Sequence, residues 1–373
     1  MRLREARRAR GWSQGRLVWE VEHYAQRHGL PIASTASLRV YVSDWENGRR
    51  TVSAEYAAIL RALLGLTDAE LFAVEQPGFV LVDGYEELVA RIDSAHCISL
   101  SMVETLTQQT ELLRTMDRQV GAASLVDQMQ GHLDCLQETL AFAVVANARR
   151  PVARALAEAA SMAAWQALDV GAADRAWRHY ELAKSAAREA EEPLYLAHSM
   201  GEQAYVLADA GRPDLAAQLI EEAQRAGGVR ISPRLSAWLC SAQAELFALA
   251  GRADDCSRAL DRATAVLPAG SAARDPELPS VFLNEGHLAR WRGHSLALVG
   301  DERAVNELYA ALDAMDGTFV RAQAGLRCDL AQAHLVRGEH AEARTHLREA
   351  RSLANRTGSV RHRRRIERLL RPG

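Results

Sequence analysis

The chain has 373 residues, more than one hydrophobic core comfortably organises, so two or three domains are expected. Nearly half of it is hydrophobic (48%), a quarter is charged and 6% is aromatic, an ordinary globular balance. No stretch approaches the roughly 18 uninterrupted apolar residues of a membrane span, and no apolar run follows the basic N-terminus, which excludes a spanning segment and a signal peptide from the reading. Alanine, leucine and arginine dominate, and alternating β-branched runs are scarce, so the fold class is all-α.

The net charge of −3 conceals a division. Residues 1–50 carry ten arginines against five acids, residues 356–371 carry seven arginines against Glu367 alone, and the acids concentrate between them. Such a basic head suits either a nucleic-acid contact or a solvated charged face. Lys184 is the single lysine. Cys97, Cys135, Cys240, Cys256 and Cys328 are scattered without a CxxC pair, the usage of reduced thiols in a cytoplasmic protein.

In chain order, Leu3, Ala6 and Ala9 mark a short first helix ending at Gly11. Ser13 caps a second helix that runs to about His28. Gly29 and Pro31 interrupt, and a third helix starts between Thr35 and Ser37 and runs through Trp45-Glu46 to a terminating Gly48. A fourth helix reaches about Leu64, and a short fifth follows Thr67 or Asp68. On the third, Leu38, Val42 and Trp45 share an inward face, leaving Arg39, Val40, Tyr41, Ser43 and Asp44 outward or half outward. Such a face fits a major groove, where arginine pairs with guanine, a carboxylate accepts from cytosine and valine touches a thymine methyl.

The segments GWSQGRL, SLRVYVSDWENGRRTVS and LLGLTDAELF resemble the lambda-repressor-like helix-turn-helix domain of Cro/CI-type (XRE-family) regulators. The likeness is strongest to large actinobacterial members that carry this domain ahead of a tetratricopeptide-like body. It covers residues 1–76 in motif detail and the remainder in architecture only. The resemblance implies a phosphate contact at Gln14, base-reading positions at Arg39, Val40 and Asp44, and a backbone contact at Tyr41. It implies a phosphate-gripping loop at Asn47, Arg49 and Arg50. One departure stands out: 30 residues separate Gln14 from Trp45, more than the compact form of the family has. The competing assignment places Tyr41 and Val40 in the domain's own core.

Pro77-Gly78 punctuates the chain, and residues 77–150 read as a helical connector of two long helices broken near Gly121. Its stripe of Leu88, Ile92, Leu100, Val103, Leu106, Leu113, Met116 and Val120 is either a seam between two copies or the flank of the body that follows. A homodimer is expected from function, because two half-sites need two reading helices.

Residues 151–373 contain an internal repeat with glycines at 171, 211, 251, 300 and 338. Small residues recur around them: Ala164, Ala204, Ala244, Gly293 and Ala331 before, Ala176, Ala216, Cys256, Val305 and Ala343 after, with Ala183, Ala223, Ala263, Leu312 and Ala350 beyond. This resembles a tetratricopeptide α-solenoid whose fourth unit departs at Val305 and Leu312. Counting back from each glycine, the concave wall should receive Glu158, Ser161, Trp165, His198, Tyr205, Asp209, Trp238, Ser241, Glu245, His287, Arg290, His294 and Gln332. Aromatics mixed with both charges suit a peptide or a polar small molecule. Ile366, Leu369 and Leu370 should seal the last repeat beneath a capping helix with polar arginines outside. His287 and His294 flank Arg290, which argues against a metal, and no nucleotide loop or catalytic set occurs, so neither a cofactor nor an enzyme is expected.

The resulting expectation is a cytoplasmic DNA-binding transcription regulator, a homodimer acting on a double-stranded operator, whose repeat body senses a peptide or small molecule and resets the spacing of its two reading heads. The alternative is a repeat scaffold for a protein partner, with the small domain vestigial or used only for docking.

Overall fold

The computed structural model describes residues 3–47, 50–65, 67, 84–96, 98–270 and 273–371. The short helix expected after Thr67, the Pro77-Gly78 boundary, Gly48, Arg49 and Cys97 lie outside them. The described chain is helical, with a single isolated bridge between Arg274 and Phe282 and no strand. It divides into two units, residues 1–90 and 91–373.

The first unit contains α1 (Leu3–Ala9), α2 (Gln14–His28), α3 (Thr35–Glu46) and α4 (Ala54–Leu64). Ser13 and Ser34 start α2 and α3 by accepting the backbone N–H groups of Arg16 and Ser37, at 3.0 and 3.4 Å, the stop-and-start pattern that separates the helices. Leu3, Leu17, Val21, Leu38, Val42, Trp45 and Leu60 make one buried core. A buried ion pair fastens it: Arg7 grips Glu46 with two N–H donors at 2.5 and 3.1 Å, joining α1 to the end of α3.

Helix α5 (Gly84–His96) crosses into the second unit. The next helices are α6 (Leu100–Val120) and α7 (Val126–Phe142), so the connector's first long helix is interrupted before Leu100, where Ser99 caps α6 through the Met102 N–H. Five antiparallel pairs follow. They are α8 (Ala146–Asp169) with α9 (Ala173–Glu189), α10 (Pro193–Asp209) with α11 (Pro213–Gly227), and α12 (Pro233–Leu249) with α13 (Ala253–Val266). Then come α14 (Glu285–Val299) with α15 (Ala304–Asp313), and α16 (Val320–Val336) with α17 (His340–Thr357). The five turn glycines all have φ between +73° and +82°. Ala164, Ala176, Ala183, Ala204, Ala216, Ala223, Ala244, Ala263 and Ala350 are fully buried, which lets paired helices approach closely.

The stack closes on itself. Helix α6 packs against α8 at one end and against α16 and α17 at the other, and the last helix, α18 (Val360–Leu370), lies on both α16 and α8. Gly121 makes the tightest contact of this seam: a Cβ there would sit 2.0 Å from the Thr357 carbonyl oxygen. The apolar stripe of the connector therefore divides: Val103 and Leu113 are buried in the body's core with Leu106 packed against it, while Leu88, Leu100, Met116 and Val120 face outward. No described helix is long and apolar enough to cross a membrane.

Candidate functional site

In the N-terminal unit, Arg39 and Val40 are exposed on α3 and Asp44 is half-buried. Tyr41 is shared between surface and core: it meets Trp45 at 5.9 Å and Tyr56 at 6.2 Å, and the Arg50 guanidinium lies 3.7 Å over its ring. Gln14 and Asn47 already have protein partners. The Gln14 amide donates to Glu46 at 2.8 Å, the Asn47 amide donates to the Ser43 carbonyl at 2.8 Å, and the Asn47 side-chain oxygen accepts from Arg4. Sequence reading missed Glu46 as the residue that engages both Arg7 and Gln14.

In the second unit, the repeat helices turn a row of aromatic rings toward a common interior. Trp165 meets Tyr205 at 6.0 Å, Tyr205 meets Trp238 at 6.5 Å and Trp238 meets Trp291 at 5.6 Å. With Glu245, Arg290, His294 and Asp329 they line a cavity of about 290 Å³, and Asp209 and Gln332 line an adjoining one of about 320 Å³. Of the other residues expected on this wall, Ser161 and Ser241 are buried and hydrogen-bonded to Ser199 and to the Ala237 carbonyl. Glu158 is buried against Arg114 at 3.1 Å. His198 is buried beside Trp238, and His287 lines a separate cavity with Phe282 and Phe319.

The interior is held by a charge network that α18 completes. Arg361 forks onto Asp209 at 2.7 and 3.2 Å and lies 5.5 Å from both the Trp165 and Tyr205 rings. Arg365 meets Asp329 at 2.6 Å, and the Ser359 hydroxyl donates to Asp169 at 2.6 Å. His294 sits between Asp329 at 2.6 Å and Glu245 at 3.2 Å, while Tyr205 donates to Glu245 at 3.0 Å. Arg321 reaches Asp117 of α6 at 2.5 Å. The expectation of an outward-facing cap is thus corrected. Ile366 does seal the last repeat against Leu347 and Ala350, but Leu370 is exposed and two arginines point inward, because the wall presents acids from α10 and α16 that must be neutralised.

Protonation follows from these contacts. Burial opposes the charge on His294, but Asp329 and Glu245 outweigh it and hold the imidazole up at about 9. Burial pushes Glu202 up to about 8 against the pull of Arg114 and Arg321, and burial pushes the adjacent His198 down to about 3. The His198–Glu202 contact at 3.7 Å is therefore a neutral one at pH 7. Sequence reading missed Glu202, Trp291, Arg321, Arg361 and Arg365. The i, i+4 spacing of Arg361 and Arg365 was the one legible signal.

No protein-family model matches the sequence, and no curated protein matches it significantly. Among solved structures, the chain resembles aspartyl phosphate phosphatase F from Bacillus subtilis, with a TM-score of 0.50 at 12% identity, covering 87% of this chain and 83% of that one. It also aligns with the Rap conjugation gene regulator of the plasmid pLS20 in complex with the Phr* peptide, with a TM-score of 0.46 at 10% identity over 96% and 98% of the two chains. The chain has a tetratricopeptide-like helical-repeat fold. Its five pairs, their turn glycines and the likeness to the phosphatase agree on that architecture.

Proposed function

We propose that the chain is a regulatory interaction scaffold whose repeat body holds an arginine-bearing polypeptide segment, a binding role and not a catalytic one. The observation that carries this reading is the seat of α18. Two arginines one helical turn apart reach acids supplied by different repeats, Asp209 and Asp329, across the aromatic row. A wall that accommodates its own basic helix in this way has the chemistry to accept a similar helix from a partner, with α18 as the resident competitor. The test uses the full chain carrying Arg361→Gln and Arg365→Gln, which keeps Ile366 in place. A labelled peptide of residues 359–371 should bind this variant at least about tenfold more tightly than it binds the unmodified chain, the loss expected when a charge-assisted contact is already occupied. Equal affinities for the two proteins would refute the reading.

A second reading, regulation through DNA, is favoured by one observation: Arg39 and Val40 stand exposed on α3, whose opposite face is locked in the core by Leu38, Val42 and Trp45. In this reading two copies place two such helices on an operator, and the outward-facing residues of α6 supply the seam between them. Duplex DNA should then bind with affinity that falls steeply as salt rises. Arg39→Ala should erode sequence preference more than Arg50→Ala, whose guanidinium is engaged on Tyr41. Salt-insensitive or absent binding in a gel-shift series rejects it.

A further inference from the structure

A cavity of about 630 Å³ in the second unit adjoins the acid-rich interior but has the opposite character. It opens between the end of α6, the start of α14 and the segment joining α15 to α16. Arg118 and Arg290 line it, and neither forms an ion pair or a hydrogen bond among the described residues. Arg321, which also lines it, is already committed to Asp117. The one acid of the lining, Asp316, is exposed and spends a carboxylate oxygen on the Thr318 N–H at 2.8 Å.

Two half-buried guanidiniums with no direct ion-pair partner among the described residues are stabilised by an anion that reaches them. Burial lowers the Arg118 pKa, and Arg114 and Arg274 lower it further against the opposing pull of Glu111. What holds Arg118 is aromatic: its guanidinium lies 5.3 Å from the Phe319 ring and 5.8 Å from the Phe282 ring. A ring-stacked guanidinium keeps its in-plane N–H donors available, the geometry that grips an oxyanion with two bonds. Phe282 and Phe319 stand 6.0 Å apart at 33°, and His287 closes the apolar side, edge-on to Phe282 at 4.5 Å. His287 adds no further cation: burial and then Arg290 push it down to about 4, and its Nδ1 is engaged by Asn284 at 2.6 Å.

The geometry points to a binding site for a small aromatic oxyanion, its carboxylate or phosphate held by Arg118 and Arg290 and its ring laid against Phe282 and Phe319. The volume is that of an ordinary small-molecule site. This site shares Arg290 with the interior wall but does not depend on the polypeptide reading, since it uses neither Asp209 nor Asp329 and Arg118 belongs to it alone of the two.

Calorimetric titration of the full chain tests it with four probes: 1-naphthoate, 1-naphthyl phosphate, the neutral 1-naphthalenemethanol and inorganic phosphate. At least one aryl anion should bind saturably with a stoichiometry of one per chain, and whichever of the two binds more tightly identifies the preferred head group. The alcohol and inorganic phosphate should each bind at least about tenfold more weakly, because each lacks half of the recognition. Arg118→Gln and Arg290→Gln should each weaken the aryl anion by about tenfold or more, and Phe319→Ala should weaken it while leaving the preference between head groups unchanged. Circular dichroism melting confirms that the variants are folded. Absence of saturable binding by both aryl anions, equal binding of the neutral alcohol, or unchanged affinity in folded Arg118→Gln and Arg290→Gln overturns the proposal.

Discussion

Asp329→Ala is expected to destabilise the folded chain by about 3–5 kcal/mol, the cost of breaking a buried ion pair by removing one partner. Asp329 is the shared acceptor of His294 at 2.6 Å and Arg365 at 2.6 Å, and all three side chains are largely buried. Removing the carboxylate strands two cations in one site, with Arg290 close enough to add repulsion and only Glu245 left to neutralise His294. Chemical denaturation measures the loss directly. Asp329→Asn separates charge from shape: it keeps an acceptor oxygen but no negative charge, so it should recover only part of the deficit.

The same cluster sets a pH dependence whose sign is fixed. His294 is held up at about 9 in the fold, above an unfolded value of roughly 6.5. Its stabilising contribution is complete below the unfolded value and disappears as pH rises through about 9. Glu202 acts in the same direction by a different route. Its carboxyl is held up at about 8 by burial, so ionising it is penalised in the fold and the penalty accumulates as pH rises from roughly 4.5, its unfolded value, toward 8. Unfolding free energy should therefore decline between pH 6.5 and 9. His294→Gln should flatten the upper part of that decline, and Glu202→Gln should flatten the lower part. A profile unchanged in both variants would contradict the assigned contacts.

The helical repeat was legible because its signal is local and periodic. A glycine that must take positive φ at each turn and an alanine at each close helix contact are properties of individual positions, and Gly171, Gly211, Gly251 and Ala164, Ala204, Ala244 each carry them without help from the rest of the chain. The aromatic row was legible for the same reason, since Trp165 and Tyr205 each sit six residues before their turn glycine and Trp238 sits thirteen before its own, two turns back on the same helix face. Closure of the stack was not legible. It rests on pairs far apart in sequence, such as Arg361 with Asp209 and Ser359 with Asp169, and no periodicity announces which distant acid an arginine will meet. The segment ahead of the fourth unit was hidden for a related reason: Leu278, Val281 and Leu283 look like loop residues, yet they are buried, since Asp275 organises the segment by accepting the Glu277 and Leu278 N–H groups at 3.0 Å each. That segment carries Phe282 to the cationic cavity. On α3, the inward face followed from helical spacing, whereas the engagement of Gln14 by Glu46 depended on a contact between separate helices.

Gly121→Ala is expected to be as damaging as the loss of Asp329, at about 3–5 kcal/mol, because two independent penalties meet at one atom. Gly121 has φ +85°, a region that side chains with a Cβ occupy only under strain. Its Cβ would also stand 2.0 Å from the Thr357 carbonyl oxygen and 2.7 Å from the carbonyl carbon, and backbone, unlike a side-chain tip, cannot swing aside. Relief requires α17 to withdraw from the turn after α6, and α18, which begins at Val360, must move with it. The effect should therefore be an opening of the seam and not a uniform loosening. Gly211→Ala provides the comparison: φ there is +76°, but a Cβ would meet nothing within 4 Å, so only the conformational cost of about 1–3 kcal/mol applies. Hydrogen exchange discriminates between them. In Gly121→Ala, amide protection should fall first in α18 and the end of α17, with the α10–α13 pairs retaining theirs; in Gly211→Ala, the seam should stay protected. Equal loss in the two variants would mean that the contact between Gly121 and Thr357 does not close the stack.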